Sequence, residues 1–477
     1  MAYISRRHVL KGLGTAGFAS SLGAMTNLGL NQAWAADTGG YKAMVCIFLK
    51  GGMDGADTVL PYDQPSYDQL ASVRPGLFNT YNSNQATSTR NLANMLQMNL
   101  DNAGDFGGRQ FALPQELSPL HSMFEAGDLA VVGNVGPLIE PTTRAAMDDG
   151  TAILPKRLFS HNDQQSTWMS FGVEGVNRGW GGRFMDQVVA SAPNQNRIFS
   201  AIATSSNDVF LAGESVNQFK VGSSITEPSL YSVRGILGGS SEDDAARDKI
   251  RAFLTKNDFQ SRSIYEQDVA ISNAKAVQNT EEFSQARANA TPFSTVFQGD
   301  RVSSQMQNVA ETIKIRQFLN VSRQMFYIST GGYDTHNNQA NNIGGLHAQL
   351  AAAISSFREA MIEIGEWDNV VVFTASDFGR TVIDNGDGTD HGWGGHHFVA
   401  GGQVQGKRLY GEVPLATVGG SSYTRTRGRL IPTTSVEQYA ATMGNWFGLN
   451  SSELATALPN LNNFNTTDLG FLGGATS

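Results

Sequence analysis

The residues most capable of chemistry are histidines and aspartates in the last quarter of the sequence. The chain has only 8 histidines, and three of them, His391, His396 and His397, lie within seven residues. They follow an apolar, β-branched run, residues 370–374, that predicts a buried strand with Asp377 just beyond its end. Carboxylate and imidazole groups beyond the carboxyl end of a strand are typical ligands of a divalent metal ion. The pattern favours this interpretation over a helix cap and solvated loop histidines.

Two other predicted strands end in similar residues. Residues 42–49 form an apolar run that leads into a glycine-rich loop with Asp54, and residues 324–329 lead to Asp334 and His336. Because the carboxyl ends of parallel strands meet at one edge of a sheet, we expect these side chains to converge. The predicted metal ligands are Asp54, Asp334, His336, Asp377 and His391. They could hold one or two divalent ions, and the spacing leaves Zn, Mn, Mg and Ca open.

Ser160 and His161 precede a stretch that is compatible with a helix. Ser160 there is either a helix N-cap or a group acting at the helix N-terminus, where the dipole favours an anion. The catalytic hypothesis makes Ser160 a nucleophile, with His161 or His397 as a proton donor or a further ligand.

The order of predicted elements indicates a βαβ arrangement. Helices are predicted at 114–126, 302–318 and 343–364, and each leads to a predicted strand, at 129–133, 324–329 and 370–374. We therefore expect an α/β fold with a central, mostly parallel sheet. Residues 63–112 are rich in Asn, Ser, Gln and Gly and predict a long surface excursion, and residues 190–305 predict a cap insertion over the sheet.

Composition narrows the possible functions. The 477-residue chain is 40% hydrophobic, enough for one large domain, and its net charge of -9 with no long basic run excludes nucleic-acid binding. No apolar run long enough for a membrane span follows the N-terminal segment. The single cysteine, Cys46, lies in a predicted strand, so we expect a buried structural thiol and no intramolecular disulfide.

The N-terminal residues, 1–36, predict an export signal. Arg6 and Arg7 followed by a mildly apolar, Gly- and Ala-rich region are similar to a twin-arginine signal, and Ala33-Trp-Ala35 fits a cleavage site. We expect the twin-arginine translocase to act on the chain during export, and a periplasmic or extracellular location in a bacterium.

Seven motifs together resemble the DUF1501 family of exported bacterial proteins, placed in the alkaline-phosphatase-like (sulfatase-like) superfamily. They are FLKGGMDGADT, LAVVGNVG, SHNDQQ, GWGGRF, GGYDTHNNQ, SDFGRT and DHGWGGHH. The resemblance covers nearly all of the mature chain, predicted as one domain over 37–477, and implies a three-layer αβα fold. It also implies that Asp54, Asp334, His336, Asp377 and His391 hold the metal and that Ser160 is the nucleophile. Phe378 stands where the superfamily often has histidine.

The predicted function is an exported, metal-dependent hydrolase of phosphate or sulfate esters, with a small anionic ester as substrate. The alternative is a non-catalytic exported binding or assembly protein with an exported protein partner, which the Phe378 difference favours. A third possibility is a metal-dependent phosphotransferase or mutase.

Overall fold

Strand β1 (Lys42–Leu49) lies at the centre of the fold in the computed structural model of the chain. Its side chains alternate between two apolar layers, with Val45 and Ile47 on one face and Met44 and Cys46 on the other. A strand buried on both faces explains the nearly continuous apolar run, and Cys46 is buried as expected. The structure describes residues 39–83, 89–191, 196–205, 208–222, 248–249, 252 and 263–473.

Most of the other strands extend this centre into a large sheet. The other strands are β2 (Leu60–Pro61), β3 (Leu96–Met98), β4 (Phe111–Leu113), β5 (Leu129–Gly136), β6 (Ala201–Ala203), β7 (Phe219–Lys220), β8 (Arg323–Thr330), β9 (Val370–Ser376), β10 (Arg380–Asp384), β11 (Thr389–His391), β12 (Gly395–Ala400), β13 (Leu409–Gly411) and β14 (Thr434–Ser435). Eight of them join β1 in one nine-stranded sheet within the described residues, in the order β13-β5-β12-β9-β1-β8-β6-β7 with β14 beside β5. Only β12 runs antiparallel to its neighbours, so the expected mostly parallel sheet is confirmed.

Helices cover both faces of this sheet. They are α1 (Gln64–Val73), α2 (Pro75–Ser83), α3 (Ser118–Glu125), α4 (Arg144–Asp148), α5 (His161–Ser170), α6 (Trp180–Ser191), α7 (Ile264–Ala288), α8 (Arg301–Lys314), α9 (Gln339–Glu363), α10 (Val436–Phe447) and α11 (Ser451–Ala457). Apolar faces of α3, α8 and α9 pack on one side of the sheet, and α6, α10 and α11 pack on the other. The α/β architecture with three layers is therefore confirmed.

The long elements match the sequence patterns closely. The helix predicted over 343–364 is α9, and the helix predicted over 302–318 is α8, which ends at Lys314. Helix α10 begins after Ser435, whose side chain accepts a hydrogen bond from the backbone N–H of Gln438 in a capping box. Periodic apolar faces and capping residues thus locate the elements that carry the sheet's connections.

One expectation for the intervening segments needs correction. Residues 63–112 are not only a surface excursion, because they contain α1, α2 and most of a small sheet, β2-β4-β3, and they bury Arg74 and Arg90 almost completely. Polar composition hid this feature, since the buried polar residues are paired in space. In the segment 190–305, strands β6 and β7 lengthen the central sheet at its edge. Residues 223–247, 250–251 and 253–262 of this segment lie outside the described residues, and the cap insertion over the sheet stays a prediction.

The N-terminal export signal predicted at residues 1–36 lies outside the described residues. Residues Ala35–Ser477 form one compact unit. None of the helices in the described part of the chain is both long and apolar enough to cross a membrane.

Candidate metal centre

Three side chains from distant parts of the chain meet beyond the carboxyl ends of the central strands. His161 is the first residue of α5, Asp334 follows β8, and His391 ends β11. One nitrogen or oxygen atom from each lies within 4.8 Å of the others. Two imidazoles with one carboxylate form a donor set that binds zinc and similar ions and leaves a coordination position open.

The two histidines are oriented by hydrogen bonds at their Nδ1 atoms. His161 Nδ1 lies 2.6 Å from Asp377 Oδ2, and His391 Nδ1 lies 2.8 Å from the carbonyl oxygen of Phe159. A proton on each Nδ1 leaves the Nε2 lone pair for a metal ion, which is how second-shell acceptors fix ligating histidines. His161 Nε2 is buried and has no hydrogen-bond partner among the described residues, as expected for a nitrogen that binds a metal ion.

The separations between the ligand atoms suit a single ion. His161 Nε2 lies 3.4 Å from Asp334 Oδ2, and His391 Nε2 lies 3.4 Å from Asp334 Oδ1. Neighbouring ligand atoms of a tetrahedral zinc site, with Zn–N distances of about 2.0–2.1 Å, are roughly 3.3 Å apart. The three side chains could therefore hold an ion with little rearrangement.

His336 adjoins the same point from the other side of Asp334. Its Nε2 lies 3.1 Å from Asp334 Oδ1 and 2.8 Å from His391 Nε2, and its Nδ1 lies 3.3 Å from Asp390 Oδ1. His336 thus follows the same pattern, with a carboxylate at Nδ1 and Nε2 directed at the cluster. It is available as a fourth ligand.

Electrostatic surroundings set the protonation of the cluster. Burial disfavours the charge of Asp334, but the hydrogen bond from Arg380, 2.8 Å from Nη1 to Oδ1, and the charges of Arg380, His161 and His336 together outweigh it and lower the pKa of Asp334. Burial lowers the pKa of His391, so its imidazole is held neutral. The hydrogen bond to Asp377 raises the pKa of His161, so a proton competes with a metal ion more strongly at His161 than at His391.

Asp377, predicted as a ligand, lies behind the cluster. It is fully buried, and its oxygens accept hydrogen bonds from His161, from Gln165 Nε2 at 2.9 Å and from the backbone N–H of Gly51 at 3.2 Å. The structure therefore places Asp377 where it orients His161, while the atom that faces the cluster belongs to His161.

Asp54, also predicted as a ligand, is not brought into the cluster. Its oxygens accept two hydrogen bonds from Arg74, at 2.7 and 3.0 Å, and both side chains are about 1% exposed. Next to this pair, Asp57 forms a buried ion pair with Arg90. The arginines come from the segment whose polar composition concealed them, so sequence spacing gave no signal of the pairing.

Of the two remaining residues predicted to be catalytic, Ser160 lies next to the cluster and His397 does not. Ser160 immediately precedes α5, and its hydroxyl donates a hydrogen bond to Asp163 Oδ2 at 3.0 Å. His397 instead lies in the apolar core against Trp168 and Tyr439, and burial lowers its pKa to about 3. A neutral core imidazole does not serve as a proton donor at the cluster, so that expectation for His397 is corrected.

Close packing around the cluster explains the glycine-rich loop after β1. Gly51 has a φ of 117°, and a Cβ there would lie 2.2 Å from the backbone nitrogen of Asp334. A Cβ on Gly52 would lie 2.7 Å from the ring of Phe378. That ring stacks on both His161 and His391, with centroids 4.9 and 4.7 Å away, so Phe378 supports the two ligands instead of supplying one.

Arginines at the rim were missed by the search for metal ligands. Arg429 donates to the carbonyl oxygen of His391 at 2.8 Å, and its guanidinium lies 3.9 Å from the ring centroid of Phe159. Arg427 forms an ion pair with Asp390, and Arg157 lies 3.4 Å from Asp163. The motif TRTRGRL, which contains Arg427 and Arg429, could have signalled this charge.

A comparison with family models gives one match over most of the chain. Residues 41–461 match the model described as "Protein of unknown function (DUF1501)". No curated protein sequence matches the chain.

Solved structures with a similar chain path have low scores. They include the alkaline phosphatase from the Antarctic bacterium TAB5, at 13% identity, 76% of this chain, 91% of that chain and a TM-score of 0.25. The lipoteichoic acid synthase LtaP from Listeria monocytogenes is 8% identical, and the match covers 86% of this chain and 72% of that chain with a TM-score of 0.31. The PsFucS1 sulfatase from Pseudoalteromonas sp. is 8% identical, and the match covers 92% of this chain and 73% of that chain with a TM-score of 0.33.

Proposed function

Because the chain belongs to the DUF1501 family of proteins of unknown function, we propose its activity from the site itself: metal-dependent hydrolysis of phosphate or sulfate esters. The observation that carries this proposal is the convergence of His161, Asp334 and His391, with Nε2 of each histidine directed at the carboxylate. A divalent metal ion held by these three side chains would act as a Lewis acid on the ester oxygens and would lower the pKa of a bound hydroxyl or water.

The chemistry of the donors favours zinc. Imidazole nitrogen suits Zn better than Mg or Ca, which prefer all-oxygen sites. The site also stays reachable, since the side chains of Asp334 and His336 are 45% and 41% exposed. A partly exposed cluster with one face open is typical of catalytic sites, whereas structural zinc sites are closed.

The charge around the cluster supports an anionic substrate. Arg157, Arg427 and Arg429 stand at the rim, and the side chains of Arg157 and Arg427 are 68% and 60% exposed. Exposed guanidinium groups attract phosphate and sulfate groups and pair with them in a bidentate geometry. The rim therefore favours esters of these acids over neutral esters.

We assign the nucleophile to Ser160. Its hydroxyl donates to Asp163, which is 5% exposed, and this carboxylate can receive the serine proton. The serine oxygen would bond to phosphorus or sulfur as the bond to the leaving alcohol breaks, and the alcohol would take a proton from solvent. Water would then hydrolyse the seryl ester, release the acid and restore the hydroxyl.

Metal content and ester hydrolysis test this assignment together. Protein exported by its native host should contain about one zinc per chain and should hydrolyse p-nitrophenyl phosphate or p-nitrophenyl sulfate. Asp334→Asn should lose both metal and activity, and Ser160→Ala should keep the metal and lose activity. Ser200→Ala, at a buried serine whose hydroxyl bonds to the carbonyl oxygen of Asn196, is the matched control and should retain both. Equal activity in all four proteins would refute the proposal.

One observation favours the second candidate, a non-catalytic exported binding protein. Asp163 also interacts with Arg157 and accepts from the backbone N–H of Glu174 at 3.3 Å, so its main role could be to hold the loop before α5. In that case the protein would bind zinc and show no turnover of either ester. The metal and activity measurements above separate the two functions.

The proposed location is the periplasm or the extracellular space, reached through the twin-arginine translocase. The paired residues Arg6 and Arg7 support it. A small anionic ester is the proposed ligand, and an exported protein partner belongs to the second candidate.

A further inference from the structure

A buried cavity lies beside the small sheet, apart from the histidine cluster. Its volume is about 40 Å³, enough for roughly three water molecules. Most of its wall is apolar and includes Val59, Leu70 and Val382. No carboxylate of the described residues lines it, so the polar groups at its wall face the cavity without an acidic partner there.

Three hydrogen-bond donors line this cavity without an acceptor. Arg109 Nε is buried and has no partner among the described residues. His396 Nδ1 accepts from the backbone N–H of Asn134 at 3.0 Å, so the imidazole proton is on Nε2, which has no acceptor in the described part of the chain. The Tyr423 hydroxyl, on a side chain that is 4% exposed, likewise has no partner in the described ranges. Of the three, Arg109 Nε is the buried donor without a partner among the described residues, and such a group is costly to leave unpaired.

Arg109 also makes no close ion pair within the described residues, and Asp63, the carboxylate whose charge acts on it, is not part of the cavity wall. It donates from Nη1 to the carbonyl oxygen of Val413, and its guanidinium stacks 5.0 Å from the ring centroid of Phe111. None of the described carboxylates forms an ion pair with it. A half-buried guanidinium in an apolar wall is therefore stabilised when an anion enters the cavity.

The cavity adjoins a larger surface cleft. The cleft, of about 500 Å³, shares Arg109, Val413 and Tyr423 with the cavity and is also lined by Ser421, Ser422 and the carboxylates of Asp105 and Glu412. Arg109 and Tyr423 thus stand between the cavity and the protein surface.

We propose that this cavity binds a short aliphatic carboxylate. The carboxylate oxygens accept hydrogen bonds from Arg109 Nε, His396 Nε2 and the Tyr423 hydroxyl, and the alkyl group packs on the apolar wall. The volume limits the alkyl group to one or two carbons. This inference is independent of the proposed hydrolysis.

Calorimetric titration of the mature protein with sodium propionate tests the proposal. The titration is done in EDTA, so that binding to a metal ion at the histidine cluster does not contribute. We expect one saturable site and affinity at least about tenfold lower for propionamide, which has the same shape without the charge. Absence of binding in EDTA or equal affinity for the two compounds would each overturn the proposal.

Variants locate the site. Arg109→Gln should weaken propionate binding at least about tenfold, and Tyr423→Phe, which removes only the hydroxyl, should weaken it several-fold. Ala416→Val narrows the cavity and keeps all three donors, so its affinity should fall without any change in charge. Arg178→Gln, at an exposed ion pair with Glu214, is the matched control. If Tyr423→Phe and Ala416→Val, both folded, bind propionate like the wild type, the cavity is not the site.

Discussion

Replacing Asp377 by Asn tests whether a carboxylate behind His161 tunes the proposed metal centre. The substitution keeps the side-chain shape and removes the charge. Asp377 is fully buried and accepts three hydrogen bonds, so the amide oxygen can still face His161 and Gln165 while the amide nitrogen meets the N–H of Gly51. The orientation of His161 is retained, and the ligand becomes less electron-rich.

The expected loss follows from the role of the outer shell. Removal of a second-shell partner of a ligating histidine typically weakens metal binding 10–100-fold. That corresponds to about 1.4–2.7 kcal/mol of binding free energy. The amide NH₂ of the new asparagine would face the backbone N–H of Gly51, and this buried N–H would lose its acceptor, which lowers the free energy of unfolding by about 1–3 kcal/mol. Metal affinity and the free energy of unfolding should therefore both fall.

Competition with a chromophoric zinc chelator at pH 7.5 measures the affinity, and urea unfolding of the metal-free protein measures the stability. Asp468→Asn is the matched control, because this exposed carboxylate makes only local hydrogen bonds to Asn445 and Gly470. If Asp377→Asn binds zinc as tightly as the control, His161 is not a ligand oriented by Asp377, and the assignment of the centre is wrong.

Three further predictions concern stability and export. Arg74→Met leaves the Asp54 carboxylate buried without its arginine partner and should lower the free energy of unfolding, measured in urea, by about 3–5 kcal/mol. Arg178→Met, at an exposed ion pair, is the control and should lower it by less than about 1 kcal/mol. Equal losses in the two variants would contradict the buried pairing. Burial raises the pKa of Glu437 to about 7, so the contribution of this group to stability is complete below about pH 4.5 and is lost as the pH rises through 7. Glu437→Gln should therefore reduce the difference in the free energy of unfolding between pH 5 and pH 8 by about 3 kcal/mol. An unchanged pH dependence of stability would contradict the raised pKa. Lysines in place of both arginines at residues 6–7 should block export in the native host, measured by fractionation, and normal export would exclude the twin-arginine route.

The strands and helices could be predicted because each leaves a local periodic signal. The run at residues 42–49 is apolar after Lys42 because β1 is buried on both faces, and the predicted helices at 302–318 and 343–364 differ from α8 and α9 mainly at their ends. The convergence of Asp334, His336 and His391 also followed from local reasoning, since it needs only the rule that strand ends share an edge.

Which of the carboxylates is a candidate metal ligand and which pairs with another side chain could not be predicted in this way. Asp54, Asp334 and Asp377 all follow central strands, yet of these three only Asp334 joins His161 and His391 in the candidate ligand set, while Asp377 contacts His161 from behind at Nδ1. The outcome depends on which cation reaches each carboxylate, and Arg74 reaches Asp54 from a segment without a periodic signal. His397 shows the same limit at short range, because both faces of β12 are buried and the sequence does not say what each of two adjacent residues meets on its own face.

The buried ion pairs make physical sense once Gln339 is considered. Its Nε2 donates to Asp54 at 2.7 Å and to Asp57 at 3.0 Å, and its Oε1 accepts from Thr335 at 2.9 Å and from Thr389 at 2.7 Å. Buried ion pairs contribute little net stability, but they impose one arrangement on the groups around them because any other arrangement leaves a charge unpaired.

Gln339 transmits that constraint to the cluster. Thr335 directly follows Asp334, and Thr389 lies two residues before His391, so one amide fixes two ligand-bearing loops against the buried pairs. A metal centre needs its ligands held within a few tenths of an ångström, and loops alone rarely provide that. Asp54 therefore acts on the centre through Gln339, as part of the rigid base on which Asp334 and His391 are positioned.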